Sequence, residues 1–486
     1  MRSNISNDRI QRYLARAEVT EDNDQARTRH ELLKKLRSLL EDFVRRAAQN
    51  KSLRRDDFVC QLMPFGSYGL GGYLAGADMD LVLLSAFAVE RRDFYKIFPQ
   101  LLRRITEDGI EVIRRTAVPI IKCTIDSIPV DISFVRLRLA DVPENINLLN
   151  DDYMEGLDKE CLASMDGPRT QQYILDNIKP EHMPAFQCGL QCIKYWATQR
   201  YLYGKPMGYL NGSTWTFLLM KTYQNVANSD HVDAYNLLHK FFDMWTDWPW
   251  PEPVLLTGRI PGLHGEFMDF QDLEDFEHSV MPIVSPCYPV CNSAPFVTAS
   301  TLQILTQELK RARTIMKSDN FLDINSLLSK LFKELKFFAR YRHFLRVMVM
   351  SETIKSNDTW KRKMATAIPK LVELLEVHPS INVIHPYTKS YTESISYRTT
   401  QGKLAIQEGY TDYVENFATS FQPGRLHVTT HLIGLEVGAP APEIDLSNEI
   451  GDFLNELEAK RNNKDADVTF KIVSAKRSDL RSLAND

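Results

Sequence analysis

Three aspartates and a glycine-serine pair are the residues of this sequence whose types and spacing could do chemistry. Gly66 and Ser67 open a glycine-rich stretch, and Asp78 and Asp80 follow it, directly ahead of the apolar run Leu81 to Leu84. A short, continuous apolar run reads as a buried strand. Side chains at i and i+2 of a strand share a face, so Asp78 and Asp80 project together. Carboxylates held side by side are costly unless a cation lies between them, and oxygen ligands that leave room for phosphates suit Mg²⁺. Gly66 lets the backbone approach a phosphate, and Ser67 adds a hydroxyl and an N–H. Asp-x-Asp alone is commonly a solvated strand edge, and glycine turns are frequent. Their combination at this distance, with an apolar strand directly after, points to a site for a metal and a phosphate.

The third carboxylate is Asp131. Ile120 to Ile125 reads as a strand, Asp126-Ser127 as a turn and Ile128 to Phe134 as a second strand. An Asp between Val130 and Ile132 is out of place in a core unless it has a partner, and a metal pair shared with Asp78 and Asp80 supplies one. Three carboxylates on neighbouring strands make a two-metal phosphoryl-transfer site. Other phosphate loops are excluded: Gly204-Lys205 and Gly402-Lys403 are not followed by Ser or Thr, and Gly69-Leu-Gly71-Gly72 fails the dinucleotide-binding spacing.

The run Phe65-Gly66-Ser67-Tyr68 … Gly76-Ala77-Asp78-Met79-Asp80, with Val130-Asp131-Ile132, resembles the polymerase-β-like nucleotidyltransferases. Within them it is most similar to the eukaryotic nuclear-type poly(A) polymerases, over about residues 25 to 440. The resemblance implies template-independent transfer of AMP from ATP to RNA 3′ ends, with pyrophosphate release and two Mg²⁺ (or Mn²⁺) ions. Asp78, Asp80 and Asp131 would be metal-binding and catalytic. Phe65, Gly66, Ser67, Lys194, Tyr203, Gly212 and Ser213 would bind ATP, with Lys194 and Tyr203 on the triphosphate. Some positions depart from the family. Ala117 stands where an aromatic often stacks on the base, Thr198 replaces a second lysine, and Lys205 replaces an Asn near the sugar and base. Asn211 and Ser213 replace a glycine and a small apolar residue, and Asp166 stands where the family's Asn-Gly-x-Arg segment, expected to lead into a helix, has Asn. Ala117, Lys205 and Asn211 are therefore candidate base or sugar contacts. The alternative activity is transfer of a different base, as in uridylyltransferases; a second is an inactive RNA-binding scaffold.

The elements that must position these residues follow from patterning. The chain has 486 residues, long enough for about three domains, and 44% hydrophobic with 25% charged residues is an ordinary globular composition. The net charge of −4 announces no nucleic-acid binding, so RNA affinity must come from local basic patches. Seven scattered cysteines lack a framework or zinc spacing and read as reduced thiols. No secretory h-region and no long apolar run occur, so a membrane is not expected.

Residues 1–55 read as an N-terminal helical segment packing on the central domain, with the stripe Leu32, Leu33, Leu36, Leu39, Leu40, Phe43 and Val44 and a solvated basic face. Residues 56–165 are the catalytic domain, 166–342 a helical central domain with a helix over Met183–Tyr203, and 343–486 a ferredoxin-like, RRM-like unit in β-α-β, β-α-β order. The fold class is thus α+β and multidomain. Between Thr301 and Phe344 two helices carry basic rows, and Lys330, Lys333, Lys336 and Arg340, near i,i+3 spacing, form a candidate RNA track. Expected partners are ATP, an RNA 3′ end and, by resemblance, cleavage and polyadenylation factors, for a monomer in the nucleus. Lys361-Arg-Lys363 and Lys476-Arg477 are too short to carry an import signal themselves.

Overall fold

The structure, a computed structural model, describes residues 7–51, 59–106, 109–229, 232–270, 273–318, 323–411, 423–438, 444–462 and 465–480. Two helices open it, α1 (Asn7–Arg16) and α2 (Asn23–Asn50). A capping box starts α2: the Asp22 carboxylate accepts from Asp24 N at 2.9 Å and Gln25 N at 2.8 Å, while the Gln25 side chain accepts from Asp22 N at 3.0 Å. The N-terminal segment does not act as one unit resting on the helical layer. Only α1 does so, through Ile10 and Leu14. The stripe of α2 packs instead beneath the first sheet, with Leu36 and Phe43 among Leu62, Leu81 and Ile132. Its polar face is also not wholly solvated, because Arg29, three residues before Leu32, is buried at 1% exposure.

That sheet comprises β1 (Gln61–Phe65), then after α3 (Gly66–Leu70) β2 (Met79–Ser85), and after α4 (Arg91–Leu102) β3 (Glu111–Ile113), β4 (Ile120–Ile125) and β5 (Ile128–Arg136). The order is β1-β2-β5-β4-β3, with β2 and β5 parallel at its centre and all other neighbours antiparallel. Leu81 and Leu83 face α2 and α4, where Phe43 meets Phe98 at 5.6 Å; Val82 and Leu84 face the opposite layer with Cys161 and Met165. Burial on both faces is why β2 is a continuous apolar run rather than an alternating one.

The central layer holds α5 (Lys159–Asp176), α6 (Met183–Gln199), α7 (Gly212–Gln224) and α8 (Ala234–Thr246), a small ribbon of β6 (Ile260–Pro261) and β7 (Phe267–Met268), then α9 (Ala299–Lys317), α10 (Ile324–Leu331) and α11 (Phe337–Arg340). Trp196, Trp215 and Trp245 are fully buried in its core. Three details differ from the sequence expectation. The segment Asp166-Gly-Pro-Arg169 lies within α5, not ahead of it, because Asp158 caps the helix earlier by accepting from Cys161 N at 2.8 Å. Helix α6 ends at Gln199, leaving Tyr203 beyond it in a bridge with Leu210. The second basic row does not form one helical face, since α10 stops at Leu331 and α11 begins only at Phe337. The carbonyls freed at that break are taken by other arginines: Arg311 donates to those of Lys330 and Leu331, and Arg200 to that of Lys333.

The last unit runs β8 (His343–Ser351), α12 (Ile354–Glu376), β9 (Ile381–Tyr397), α13 (Thr400–Gln407), β10 (Gly424–Val437), α14 (Ser447–Ala459) and β11 (Thr469–Lys476). Its antiparallel order β11-β8-β10-β9 is the ferredoxin-like plan. The unexpected addition is α13. Its apolar core is continuous with that of the central layer. Tyr209 Oη donates to Pro386 O at 3.2 Å and Ser300 N to Glu376 Oε1 at 2.5 Å across the seam. No helix among the described residues is long and apolar enough to cross a membrane.

Because Phe43 joins α2 to α4 rather than to the helical layer, Phe43→Ala is expected to destabilise the catalytic sheet by about 3–5 kcal/mol. Urea unfolding followed by hydrogen exchange checks this: protection should fall in β2 and β5 and hold in α6 and α8.

Candidate active site

Strand register builds the centre of the site. Phe65 pairs with Asp80, Asp80 with Asp131 and Asp131 with Lys122, one row crossing β1, β2, β5 and β4. Asp78 stands in the turn just before β2. One carboxylate oxygen from each of Asp78, Asp80 and Asp131 lies within 4.8 Å of the others. Lys122 Nζ donates to Asp131 Oδ2 at 3.1 Å and lies equally close to Asp131 Oδ1, which is shut from water.

Burial pushes the Asp80 carboxyl up to about 7, and the charges of Asp78 and Asp131 push the same way, against the pull of Lys122 and Lys194. Burial also raises Asp131, which Lys122 opposes. Three crowded carboxylates, with Asp80 and Asp131 both raised by burial and only one lysine to offset them, form an oxygen donor set that a divalent cation fits.

Backbone geometry brings other groups to the aspartates. Gly66 has φ +66°, and a Cβ there would lie 2.7 Å from Asp80 Oδ2, so both conformation and space require glycine. The loop carrying Asp78 is held from below by Arg29. Its Nη2 donates to Ala77 O at 2.5 Å, its Nε donates to Glu21, and its guanidinium lies 5.1 Å from the Tyr73 ring centroid. The sequence signal for Arg29 is its place on the apolar stripe of α2.

A cavity of about 290 Å³ opens beside the aspartates. It brings together Phe65, Gly66, Ser67, Asp78 and Asp80 from the sheet with Lys194 and Tyr203 from the helical layer. Lys205, Asn211, Gly212 and Ser213 complete the set expected from sequence. Lys194 is 4% exposed, and its Nζ donates to Gly72 O at 3.0 Å. Burial lowers it to about 8, while Asp80 and Asp78 pull it back up. Tyr203 is pushed up to about 12 by burial, so its hydroxyl stays a donor. A Cβ on Gly212 would lie 2.7 Å from that hydroxyl. Asn211 is the N-cap of α7: its Oδ1 accepts from Thr214 N at 3.0 Å and Thr214 Oγ1 at 2.7 Å, which leaves only its amide donors for a ligand.

Other expected positions lie elsewhere. Ala117 is exposed in the loop between β3 and β4 and does not line the cavity. Thr198 Oγ1 donates to Lys194 O of its own helix. Lys330, Lys333 and Lys336 are exposed and outside the cavity, and Arg340 Nη1 lies 3.3 Å from Glu308, beside the buried Arg200–Glu308 pair. Sequence reasoning did not assign Asp166, Thr170 and Gln171 of α5 or Ser293 to the wall. The 166/170 spacing on a helix was a usable signal for two of them, whereas nothing local marks Ser293.

Three family models match in succession: the poly(A) polymerase nucleotidyltransferase domain over residues 2–178, the poly(A) polymerase central domain over 185–334 and the poly(A) polymerase predicted RNA binding domain over 336–485. A poly(A) polymerase PAPalpha of Candida albicans is 28% identical over 455 residues, 90% of this chain and 80% of that protein. PAPa of the same organism is 30% identical over 80% of this chain and 70% of its own. A poly(A) polymerase of Dictyostelium discoideum is 28% identical over 77% of this chain and 46% of its own. Among solved structures, the Cid1 poly(U) polymerase with MgGTP is 17% identical with a TM-score of 0.47, covering 66% of this chain and 97% of that one. A cytoplasmic RNA terminal U-transferase covers the same shares at 17% identity and a TM-score of 0.46. With its three domain models matched in order along nearly the whole length, the chain belongs to the eukaryotic poly(A) polymerase family.

Proposed function

We propose that the cavity transfers AMP from ATP to an RNA 3′ end, with Asp78, Asp80 and Asp131 holding two Mg²⁺ or Mn²⁺ ions. The observation that carries this is the Asp80–Asp131 register, which converges three carboxylates within 4.8 Å at the mouth of a cavity whose far wall bears a buried lysine. Bound there, the ions would lower the pKa of the RNA 3′-hydroxyl and neutralise charge on the phosphates. The Asp131 carboxylate takes the hydroxyl proton as the 3′-oxygen bonds to the α-phosphorus. The bond from that phosphorus to the bridging oxygen breaks, and pyrophosphate leaves. Ser67, Lys194 and Tyr203 hold the leaving phosphates, and Gly212 leaves room for the Tyr203 hydroxyl to reach them. RNA enters over the ferredoxin-like unit and the exposed Lys330, Lys333 and Lys336. A monomer in the nucleus that takes its RNA from cleavage and polyadenylation factors completes the reading.

Primer extension tests the reaction. An unstructured RNA, Mg²⁺ or Mn²⁺ and each NTP separately are expected to give long products with ATP only. An Asp78→Ala/Asp80→Ala protein should be slower by about 10²–10³-fold or more. Products with UTP, or with all four nucleotides, would overturn the assignment to adenine.

Charge crowding gives a second expectation. Without metal, the Asp80 charge is disfavoured in the fold relative to the unfolded chain. That cost is full above about pH 7 and absent well below the ordinary aspartate value of 3.8. In chelator at pH 8, Asp80→Asn should therefore melt higher than the parent, by on the order of 1 kcal/mol or more. The gain should shrink toward pH 4 and reverse in saturating Mg²⁺, as followed by calorimetry. A lower melting temperature in chelator would contradict the crowding.

A further inference from the structure

Of the three aspartates, Asp78 is the one that the sheet does not fix. Asp80 and Asp131 are partners in the β2–β5 ladder, whereas Asp78 precedes β2 and is exposed. The turn that carries it includes Gly71 (φ +71°), Gly72 and Gly76 (φ +74°), and a Cβ on Gly76 would meet nothing within 4 Å. Such a turn yields easily, and the like charges of Asp80 and Asp131 push Asp78 outward. Its position has to come from groups outside the strands.

Two layers grip this loop at its two ends. Three side chains of α6, at helical spacing, donate to carbonyls at the start of the loop: Gln187 to Leu70 O at 2.9 Å, Lys194 to Gly72 O at 3.0 Å and Gln191 to Tyr73 O at 3.2 Å. The residues next to Asp78 are held by the N-terminal arm instead. Ala75 N donates to Val19 O at 2.8 Å, and Arg29 Nη2 donates to Ala77 O at 2.5 Å. The arm crosses from the helical core, where Val19 is buried, to α2 beneath the sheet.

Arg29 is a costly residue for its place. It is 1% exposed on the apolar stripe of α2, its ion pair with Glu21 is out of water, and its Nη1 has no hydrogen-bond partner. Apolar side chains of similar volume commonly stabilise a fold as well as a buried ion pair does. Packing alone therefore does not account for an arginine here. What a guanidinium adds is a rigid fork. Its Nε donates to the Glu21 carboxylate at 2.8 Å while Nη2 holds Ala77 O, and the group lies 5.1 Å from the Tyr73 ring centroid and 5.9 Å from that of Tyr68.

Resting on the two-metal reading above, we propose that Arg29 is a positioning residue for Asp78, through which the N-terminal arm sets the affinity of the site for divalent metal. The test uses the full chain with Mn²⁺ as the probe. It compares the parent with Arg29→Lys, which keeps the charge beside Glu21 but cannot bridge Glu21 and Ala77 O together. Gln187→Ala, which loosens the same loop at its other end, is the control. The readouts are Mn²⁺ binding by calorimetry, the Mn²⁺ midpoint and kcat of one-nucleotide addition to a short RNA, and melting temperature in chelator. Arg29→Lys is expected to raise the Mn²⁺ midpoint of binding and of activity together, by about 10–100-fold. At saturating Mn²⁺, its kcat and its KM for ATP should return toward the parent's, because Lys194 and Tyr203 keep their places. Gln187→Ala should keep the parent's midpoint. An unchanged midpoint in Arg29→Lys beside a lowered melting temperature would leave Arg29 a packing role and overturn the proposal, as would an equal rise in Gln187→Ala. Should Arg29→Lys not fold, Ala75→Pro removes the N–H given to Val19 O at an exposed position. It is expected to raise the midpoint in the same direction, and a midpoint like the parent's would overturn the role of the arm. A parent that neither binds Mn²⁺ nor extends RNA in its presence would sink the two-metal reading itself. A parent that does both, with Arg29→Lys unshifted, would sink the positioning role alone.

Discussion

Like-charge crowding across two central strands is the constraint on which the rest of this structure depends. Asp80 and Asp131 are register partners on parallel β2 and β5, and Asp78 joins them from the turn ahead of β2. No folded chain gains from placing these groups together in the absence of a cation. The fold therefore has to hold them there by other means. Apolar layers on both faces of the sheet fix the two strands, and the single lysine of the row, Lys122, offsets only part of the charge. Arg29, buried and tied to both Glu21 and Ala77 O, keeps the Asp78 turn from relaxing away.

The same requirement explains why the site needs more than the catalytic sheet. The sheet presents carboxylates to the cavity, so the positive side chains on its wall come from another layer. Lys194 supplies one from α6, buried deeply enough that the neighbouring aspartates are what keep it charged. The loop carrying Lys205 supplies another. That loop is gripped by the ferredoxin-like unit, where Gly204 approaches Thr388 and Tyr209 bonds Pro386 O. The catalytic sheet and the helical layer thus line one space, and the ferredoxin-like unit braces the loop that carries Lys205.

Several side chains that look functional in the sequence serve the fold instead. Arg200, Arg311 and Arg340 converge on buried Glu308 and on the carbonyls released where α10 ends. Of the basic track only Arg340 is drawn into this cluster, while Lys330, Lys333 and Lys336 stay exposed. Asn211, a departure from related sequences, spends its oxygen on the α7 N-terminus. Ala117 falls on an exposed loop, so nothing is lost from the cavity wall by its small size.

Much of the fold and of the site was legible in the sequence. The glycine-serine turn, the Asp-x-Asp and the lone Asp in an apolar strand are local patterns whose chemistry depends on spacing of a few residues; strand period places Asp80 and Asp131, whereas Asp78 stands just ahead of β2. The order of elements in the last unit likewise gave its sheet. What the sequence could not decide is which distant residues share a wall. Arg29, Asp166, Thr170, Gln171 and Ser293 reach the site through packing of α2, α5 and a loop, and the Arg29–Ala77 contact spans two elements that no local period connects. Helix ends and the partner of each buried charge are settled by what packs against them, because capping, ion pairing and burial are properties of neighbours in space.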